Sequence, residues 1–277
     1  MRLHRLYGHL GWRGLEKLVS KRMVQGLTVT VAALRQAAKA VCGTCVTTKA
    51  TAVPSPSRGH RPQHVLQLTH TDLCGPMPVT GRGGARYLLT LLDGASGLSL
   101  TRALASKDQV GEALQDMIAQ LEARNPYHAK VRAVQSDNGG EYIAEHLEKW
   151  MQERSIEHTY SAPYKPQQNG TAERLNRTLL DRVRAMLHDA TLPSSFWPEA
   201  VSYACCLRNV SPSTGRDTTP WEGFHGVKPD VSDLHVFGCR VYVRVPDNQQ
   251  QKLGPRAELG TYLGPQRGTA AHRILVG

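Results

Sequence analysis

The spacing of apolar residues changes character twice along this 277-residue chain. Leu15, Leu18 and Val19 recur at helical intervals, and the Ala-rich run from Ala32 to Val41 favours helix, so roughly the first fifty residues read as helix and turn. The stretch Ala52-Val-Pro-Ser-Pro-Ser-Arg-Gly-His-Arg-Pro62 has no apolar period and predicts a linker. From Val65 the period shortens. Val65 to Asp72 alternates apolar and polar residues, and Arg86 to Asp93 and Leu98 to Ala103 read as two further strands joined by a Gly-containing turn. Lys107 to Glu122 is helical through Val110, Leu114, Met117, Ile118 and Leu121. A strand at Val131 to Gln135, a helix at Ala144 to Arg154, a strand at Ile156 to Tyr160 and a long helix from Asn169 to His188 follow. After Pro193 a further helix runs to about Asn209. Alternating Val241, Val243 and Val245, with Gly254, Gly260, Gly264 and Gly268 beyond them, predict a small, incomplete β unit over 236–277.

Three strands, a helix, a strand, a helix, a strand and a helix predict an α/β fold: one mixed sheet with helices on both faces, the element order of a ribonuclease-H-like sheet. Charge adds a partner class. The net charge of +11 is concentrated at the front, where residues 1–60 hold ten Lys/Arg against one acid, Glu16. A basic head of this kind gains affinity for polyanions by releasing counterions condensed on phosphates. The remaining residues carry 24 bases and 22 acids, a nearly neutral body able to house a carboxylate site. No stretch approaches the ~18 consecutive apolar residues of a membrane span, and the first residues lack an apolar signal core, so a soluble, intracellular protein is expected. Six cysteines without regular spacing argue against a disulfide framework.

Three acids stand at positions where a mixed sheet would bring them together. Asp72 is placed at the end of the first strand, Asp137 after the fourth, and Glu173 in the first turns of the long helix. Strand ends of neighbouring strands open onto one rim, so both aspartates can face a common space that Glu173 completes. Clustered carboxylates repel one another unless a cation neutralises them, which favours a hard oxygen-seeking ion such as Mg²⁺. Taken singly, Asp137-Asn-Gly-Gly140 is also a turn signature and Glu173 a helix-dipole carboxylate. Asp93 and Glu141 compete as acids; they read as a turn residue and a loop carboxylate.

The strings His70-Thr-Asp-Leu-Cys-Gly-Pro-Met77, Ser136-Asp-Asn-Gly-Gly-Glu-Tyr142 and Pro163-Tyr-Lys-Pro-Gln-Gln-Asn-Gly-Thr-Ala-Glu-Arg-Leu-Asn-Arg177 resemble the copia-type (pseudovirus) retrotransposon integrases, members of the retroviral integrase superfamily. Between Asp137 and Glu173 lie 35 residues, the spacing of that family's acid motif. The resemblance implies that Asp72, Asp137 and Glu173 bind two Mg²⁺ ions, with Mn²⁺ as an alternative, and catalyse DNA strand transfer. It also implies that the face carrying Asn176 and Arg177 touches a DNA end, with Lys165 and Asn169 as further candidate contacts, whereas Arg184 reads as a solvated helix position. A catalytically inactive nucleic-acid-binding remnant, or a nuclease on the same fold, is the competing reading.

His4 and His9, and Cys42 and Cys45, form two close pairs 32 residues apart. Two imidazoles and two thiolates make the tetrahedral N₂S₂ shell that Zn²⁺ prefers, and a segment this short gains stability from a structural metal. A lone Cys-x-x-Cys would equally suit a redox pair. His4-Arg-Leu-Tyr-Gly-His-Leu-Gly11 resembles the pre-integrase zinc module of the same family, with Leu3 where members usually have Trp. Phe196-Trp-Pro-Glu-Ala-Val201, Thr219-Pro-Trp-Glu222 and Leu234-His-Val-Phe-Gly-Cys239 extend the resemblance downstream. It implies a zinc-binding module over 1–52, a catalytic core with a helical extension over 63–230 and a partial SH3-like module over 235–277. DNA, further copies of the chain and a nuclear site of action, after a cytoplasmic particle stage, are the implied partners and place. Cys74, Cys205, Cys206 and Cys239 read as buried small residues, and Trp197 and Trp221 as packing residues.

Overall fold

The computed structural model describes residues 2–49, 62–160, 170–266, 269 and 271–277. The expected linker therefore lies almost wholly outside the described residues, as do Lys165, Asn169 and Gly268.

The central sheet has the order β3-β2-β1-β4-β5, built from β1 (Thr69–Cys74), β2 (Tyr87–Asp93), β3 (Ser99–Leu104), β4 (Ala133–Ser136) and β5 (Glu157–Tyr160). β1, β2 and β3 pair antiparallel, while β4 and β5 join β1 in parallel, which is the ribonuclease-H-like mixed arrangement. Alternation along β2 explains the layering. Leu89 and Leu91 enter one core with Val110, Leu114, Met117, Ile118 and Leu121 of α5 (Val110–Arg124) and with Leu147 and Met151 of α6 (Glu145–Glu153). Leu88 and Leu92 enter the other, with Leu175, Leu179, Val183 and Met186 of α7 (Gly170–Asp189) and with Ala200, Val201 and Ala204 of α8 (Trp197–Asn209). A strand buried on both sides thus lies between two helical layers.

Before the sheet come α1 (Arg2–Leu6), α2 (Trp12–Ser20), α3 (Val31–Ala37) and α4 (Gly43–Thr48). Leu3, Tyr7, Leu15, Leu18, Met23 and Leu34 form a small core of their own, closed by Val231 from the far end of the chain. After α8, a short helix α9 (Pro220–His225) is capped by Thr219, whose hydroxyl accepts from Glu222 N at 3.1 Å. A three-stranded antiparallel sheet of β6 (Arg240–Arg244), β7 (Ala257–Pro265) and β8 (His272–Val276) ends the chain and contributes Tyr262 and Leu263 to the second core.

Several expected boundaries move. The first strand begins at Thr69 rather than Val65, because Leu66 takes a left-handed φ of 62° and its N–H is held by Asp93 Oδ1 at 2.8 Å. Pairing with β2 runs on to Cys74, so Asp72 lies inside the strand rather than closing it. The Ala-rich helix stops at Ala37, short of Val41. Asp93 does hold its turn, accepting from Ser96 N and Oγ, but it is also fully buried. Of the four cysteines expected inside, only Cys205 is buried; Cys74, Cys206 and Cys239 are half-exposed. Trp197 packs as expected, whereas Trp221 is 37% exposed against the His225 ring.

Candidate active site and metal centre

The parallel register between β1 and β4 pairs Thr69 with Val134 and His70 with Gln135. Continued by two residues, it carries Asp72 alongside Asp137. α7 packs on β1 and β2, which brings its first turns, and Glu173 with them, over the same rim. Asp72 registers both neighbours. Its carboxyl is pushed up to about 6, first by burial, then by the negative charge of Asp137, and further by Glu173. The larger opposing influence is Asn176, one turn after Glu173, whose Nδ2 donates to Asp72 Oδ2 at 2.7 Å. Asn176 is therefore turned inward against an acid and buried, while Glu173 and Arg177 on the same helix are exposed. The three carboxylates do not form a group with donor atoms all within 4.8 Å of one another. Three oxygen-donor acids, one of them half-buried and disfavoured as an anion, fit a hard divalent cation.

The loop after β4 is built to hold Asp137. Its Oδ1 accepts from Gly139 N at 3.2 Å, so the turn signature and the acid site use the same residue. Ser136 donates to the Asp137 carbonyl at 2.8 Å and meets His158 Nε2 at 2.9 Å; His158 Nδ1 in turn meets Glu148 Oε1 at 2.6 Å, and Tyr160 also donates to that oxygen. This Ser136–His158–Glu148–Tyr160 network links α6 and β5 to the site, and sequence reading missed it because its members have no fixed spacing. Tyr142, fully buried, lies against Thr71 Oγ1 at 3.3 Å beneath the same rim. Glu141 pairs with Lys107 at 3.2 Å.

The second site lies in the N-terminal module. Gly8 and His9 both adopt left-handed φ, 58° and 59°, which turns the chain back after α1 so that the two imidazoles meet with centroids 4.9 Å apart. A Cβ at Gly8 would stand 3.0 Å from Leu207 and 3.2 Å from Met186, so the turn needs glycine to seat against α7 and α8. His4 Nε2 lies 3.2 Å from Cys45 Sγ, and His9 Nδ1 lies 3.4 Å from Cys42 Sγ and 3.6 Å from Cys45 Sγ. All four donor atoms fall within 4.8 Å of one another. A tetrahedral ion with Zn–S near 2.3 Å and Zn–N near 2.0–2.1 Å would set S···N edges of about 3.5 Å, which these gaps match. His4 Nδ1 faces the Leu10 carbonyl at 2.8 Å, the outer hydrogen bond that leaves Nε2 free to ligate. Burial holds His9 down to about 4 and pushes the Cys45 thiol up to about 11; a bound cation is what would favour the thiolate. The residues present fit zinc.

Asp189, which sequence reading did not single out, sits at the last position of α7 and receives Arg5 Nε at 2.7 Å, with His9 Nε2 at 3.7 Å. An acid at a helix C-terminus opposes the helix dipole, so its partners must offset that cost. Asp189 couples the ligand histidine to the far end of the helix that carries Glu173. Asp189→Ala is expected to weaken zinc binding by up to about 10-fold, the low end for lost outer partners of ligating histidines because the 3.7 Å contact to His9 acts through charge and not a hydrogen bond, in a chelator-competition titration.

Residues 62–166 match a family model described as integrase core domain, and residues 154–194 match a second model of the same description. The chain thus carries an integrase core domain over residues 62–166. Over 265 residues it is 35% identical to the retrovirus-related Pol polyprotein from transposon TNT 1-94 of Nicotiana tabacum, a match covering 94% of the chain and 19% of that polyprotein. The chain thus spans under a fifth of that relative's length. A chain of the simian T-cell lymphotropic virus intasome, solved in complex with PP2A regulatory subunit B56 gamma, shares the fold: TM-score 0.51, 18% identity, covering 99% of this chain and 95% of that one. The HTLV-2 integrase catalytic core domain, solved with magnesium in a trimeric form, gives a TM-score of 0.45 at 17% identity, covering 61% of this chain and all of that one. No helix among the described residues is long and apolar enough to cross a membrane.

Proposed function

We propose that the chain is a retrotransposon integrase that joins the 3′ ends of element cDNA to target DNA by direct transesterification. The observation that carries this reading is the β1/β4 register that brings Asp72 alongside Asp137 at the start of α7, within an integrase core domain, where burial and the charges of Asp137 and Glu173 push the Asp72 carboxyl up. Asp72 and Asp137 would hold the metal pair, Mg²⁺ or in substitution Mn²⁺, and Glu173 would complete it. Bound there, two ions supply the charge neutralisation and Lewis acidity of an in-line displacement at phosphorus. The cDNA 3′-hydroxyl attacks the target phosphorus, the target P–O3′ bond breaks, and the departing oxygen leaves as a new 3′-hydroxyl. The number of phosphodiester bonds is conserved, and no protein nucleophile takes part. Arg177, exposed one turn beyond Glu173, would contact the DNA end, as would Lys165 and Asn169; Asn176 instead positions Asp72.

His4, His9, Cys42 and Cys45 would hold a structural zinc in a module over 1–52, ahead of a core over 63–230 and an SH3-like module over 235–277. DNA and further copies of the chain would be its partners, and chromosomal DNA in the nucleus its target. The test is an oligonucleotide joining assay on the purified chain with Mg²⁺. Products of 3′-end joining support the reading; DNA binding without joining in either Mg²⁺ or Mn²⁺ would leave a non-catalytic remnant, and cleavage of an RNA–DNA hybrid in its place would make it a nuclease. Asn176→Ala is expected to raise the Mg²⁺ concentration needed for half-maximal joining by about 10-fold or more, because it removes the donor that orients Asp72.

A further inference from the structure

A second group of metal-type ligands converges far from both sites, where the segment entering the C-terminal sheet meets its last strand. Asp233, His235 and His272 place their donor atoms within 4.8 Å of one another. Asp233 Oδ1 lies 3.3 Å from His235 Nε2, and Asp233 Oδ2 lies 3.5 Å from His272 Nε2. We propose that these three residues form a surface site for a borderline divalent transition-metal ion, of the class of Zn²⁺ or Ni²⁺.

The separations are the first argument. Charge-assisted hydrogen bonds to a carboxylate close to about 2.7–2.9 Å, whereas donors sharing a tetrahedral ion at 2.0–2.1 Å stand about 3.4 Å apart. Both gaps fall at the second value, and each carboxylate oxygen faces the Nε2 of a different imidazole. Placement is the second argument. Tyr203 donates its hydroxyl to the His235 carbonyl at 2.6 Å, which fixes the backbone of one ligand. His272 opens β8 and is held by its pairing with Pro265 on β7. Both imidazoles stand against the buried ring of Tyr262, with centroids at 5.3 Å and 5.5 Å. The ligands are thus set by core-anchored neighbours although the residues themselves are exposed.

The donor set selects the ion. Two imidazoles and one carboxylate suit zinc, nickel or copper and not magnesium, which takes oxygen ligands. Three protein ligands leave at least one position for water or a donor from another molecule. A bound ion would clip the 233–235 segment, which leads into the C-terminal sheet, to the first residue of β8. This site is independent of the integrase reading and of the His4–Cys45 cluster.

The test is equilibrium dialysis of the full chain against Zn²⁺ in excess Mg²⁺, with bound zinc counted by elemental analysis. Wild type should hold one equivalent more than His272→Ala or His235→Ala, and Asp233→Asn should weaken that equivalent by at least about ten-fold, since loss of outer partners alone costs that much. Cys45→Ser should leave it in place. As a second readout, zinc should raise the melting temperature of a Cys45→Ser chain and fail to do so once His272→Ala is added. Equal zinc content in wild type and both histidine variants would overturn the proposal and leave Asp233 as an ordinary ion-pair partner.

Discussion

Asp137→Asn is expected to lower Mg²⁺-dependent joining by at least about a thousand-fold, because a catalytic ion contributes several kcal/mol to the transition state and each 1.36 kcal/mol is tenfold in rate. The substitution is a clean one. Asn keeps the oxygen that accepts from Gly139 N at 3.2 Å, so the loop after β4 retains its turn. Ser136 reaches the Asp137 backbone carbonyl and not the side chain, so that support is also untouched. What is lost is one negative charge beside Asp72. A second measurement follows without any turnover: in metal-free protein the Asp72 carboxyl, now raised to about 6, should titrate lower once the Asp137 charge is gone, because that charge is the second cause of its elevation after burial. Carboxyl-selective NMR titration reads this directly. Joining at the wild-type rate would remove Asp137 from the reaction; an unmoved Asp72 titration would show that the two acids do not share a site.

The sheet was legible because its signals are local. Arg86 to Asp93 and Lys107 to Glu122 carry apolar periods that burial on both faces of β2 and on one face of α5 enforces, and both came within three residues of the observed elements. The start of β1 was not legible, since the alternation at Val65 to Leu68 is overridden by a single long-range contact, Leu66 N–H to Asp93, which the chain makes 27 residues away. The acids were legible as types at strand ends and helix starts, but the inward turn of Asn176 was not: helical spacing from Glu173 puts both on one side of α7, and only the packing of that helix on β1 decides which of them meets Asp72 and which meets solvent. Asp189 and the His158–Glu148 pair escaped for the same reason. Their partners come from other elements, and nothing in their immediate sequence marks them.

Chelation of zinc, or Cys45→Ser, is expected to release α4 and its flanks while the central sheet stays folded. α4 is a six-residue helix with no buried residue, too short to persist alone; its Val46 is 62% exposed and Val41, just before it, 78%. Apolar burial therefore contributes little to holding this segment. What remains is the docking of α4 on α7, the thiol–imidazole cluster and the Lys49 ammonium, which donates to the His9 carbonyl at 2.6 Å. Structural zinc sites contribute an apparent ~10–16 kcal/mol in small metallo-modules, far more than one such hydrogen bond at ~1–3 kcal/mol. Amide exchange over residues 42–49 should thus accelerate by orders of magnitude on chelation, while β1, β2 and α5, whose cores share no residue with the module, keep their protection. Leu15, Leu18 and Leu34 should respond in between, because they retain a small core that Val231 closes from outside the module. Unchanged exchange at 42–49 after complete chelation would mean that the four ligands are held by packing alone, and the metal reading of this cluster would fall.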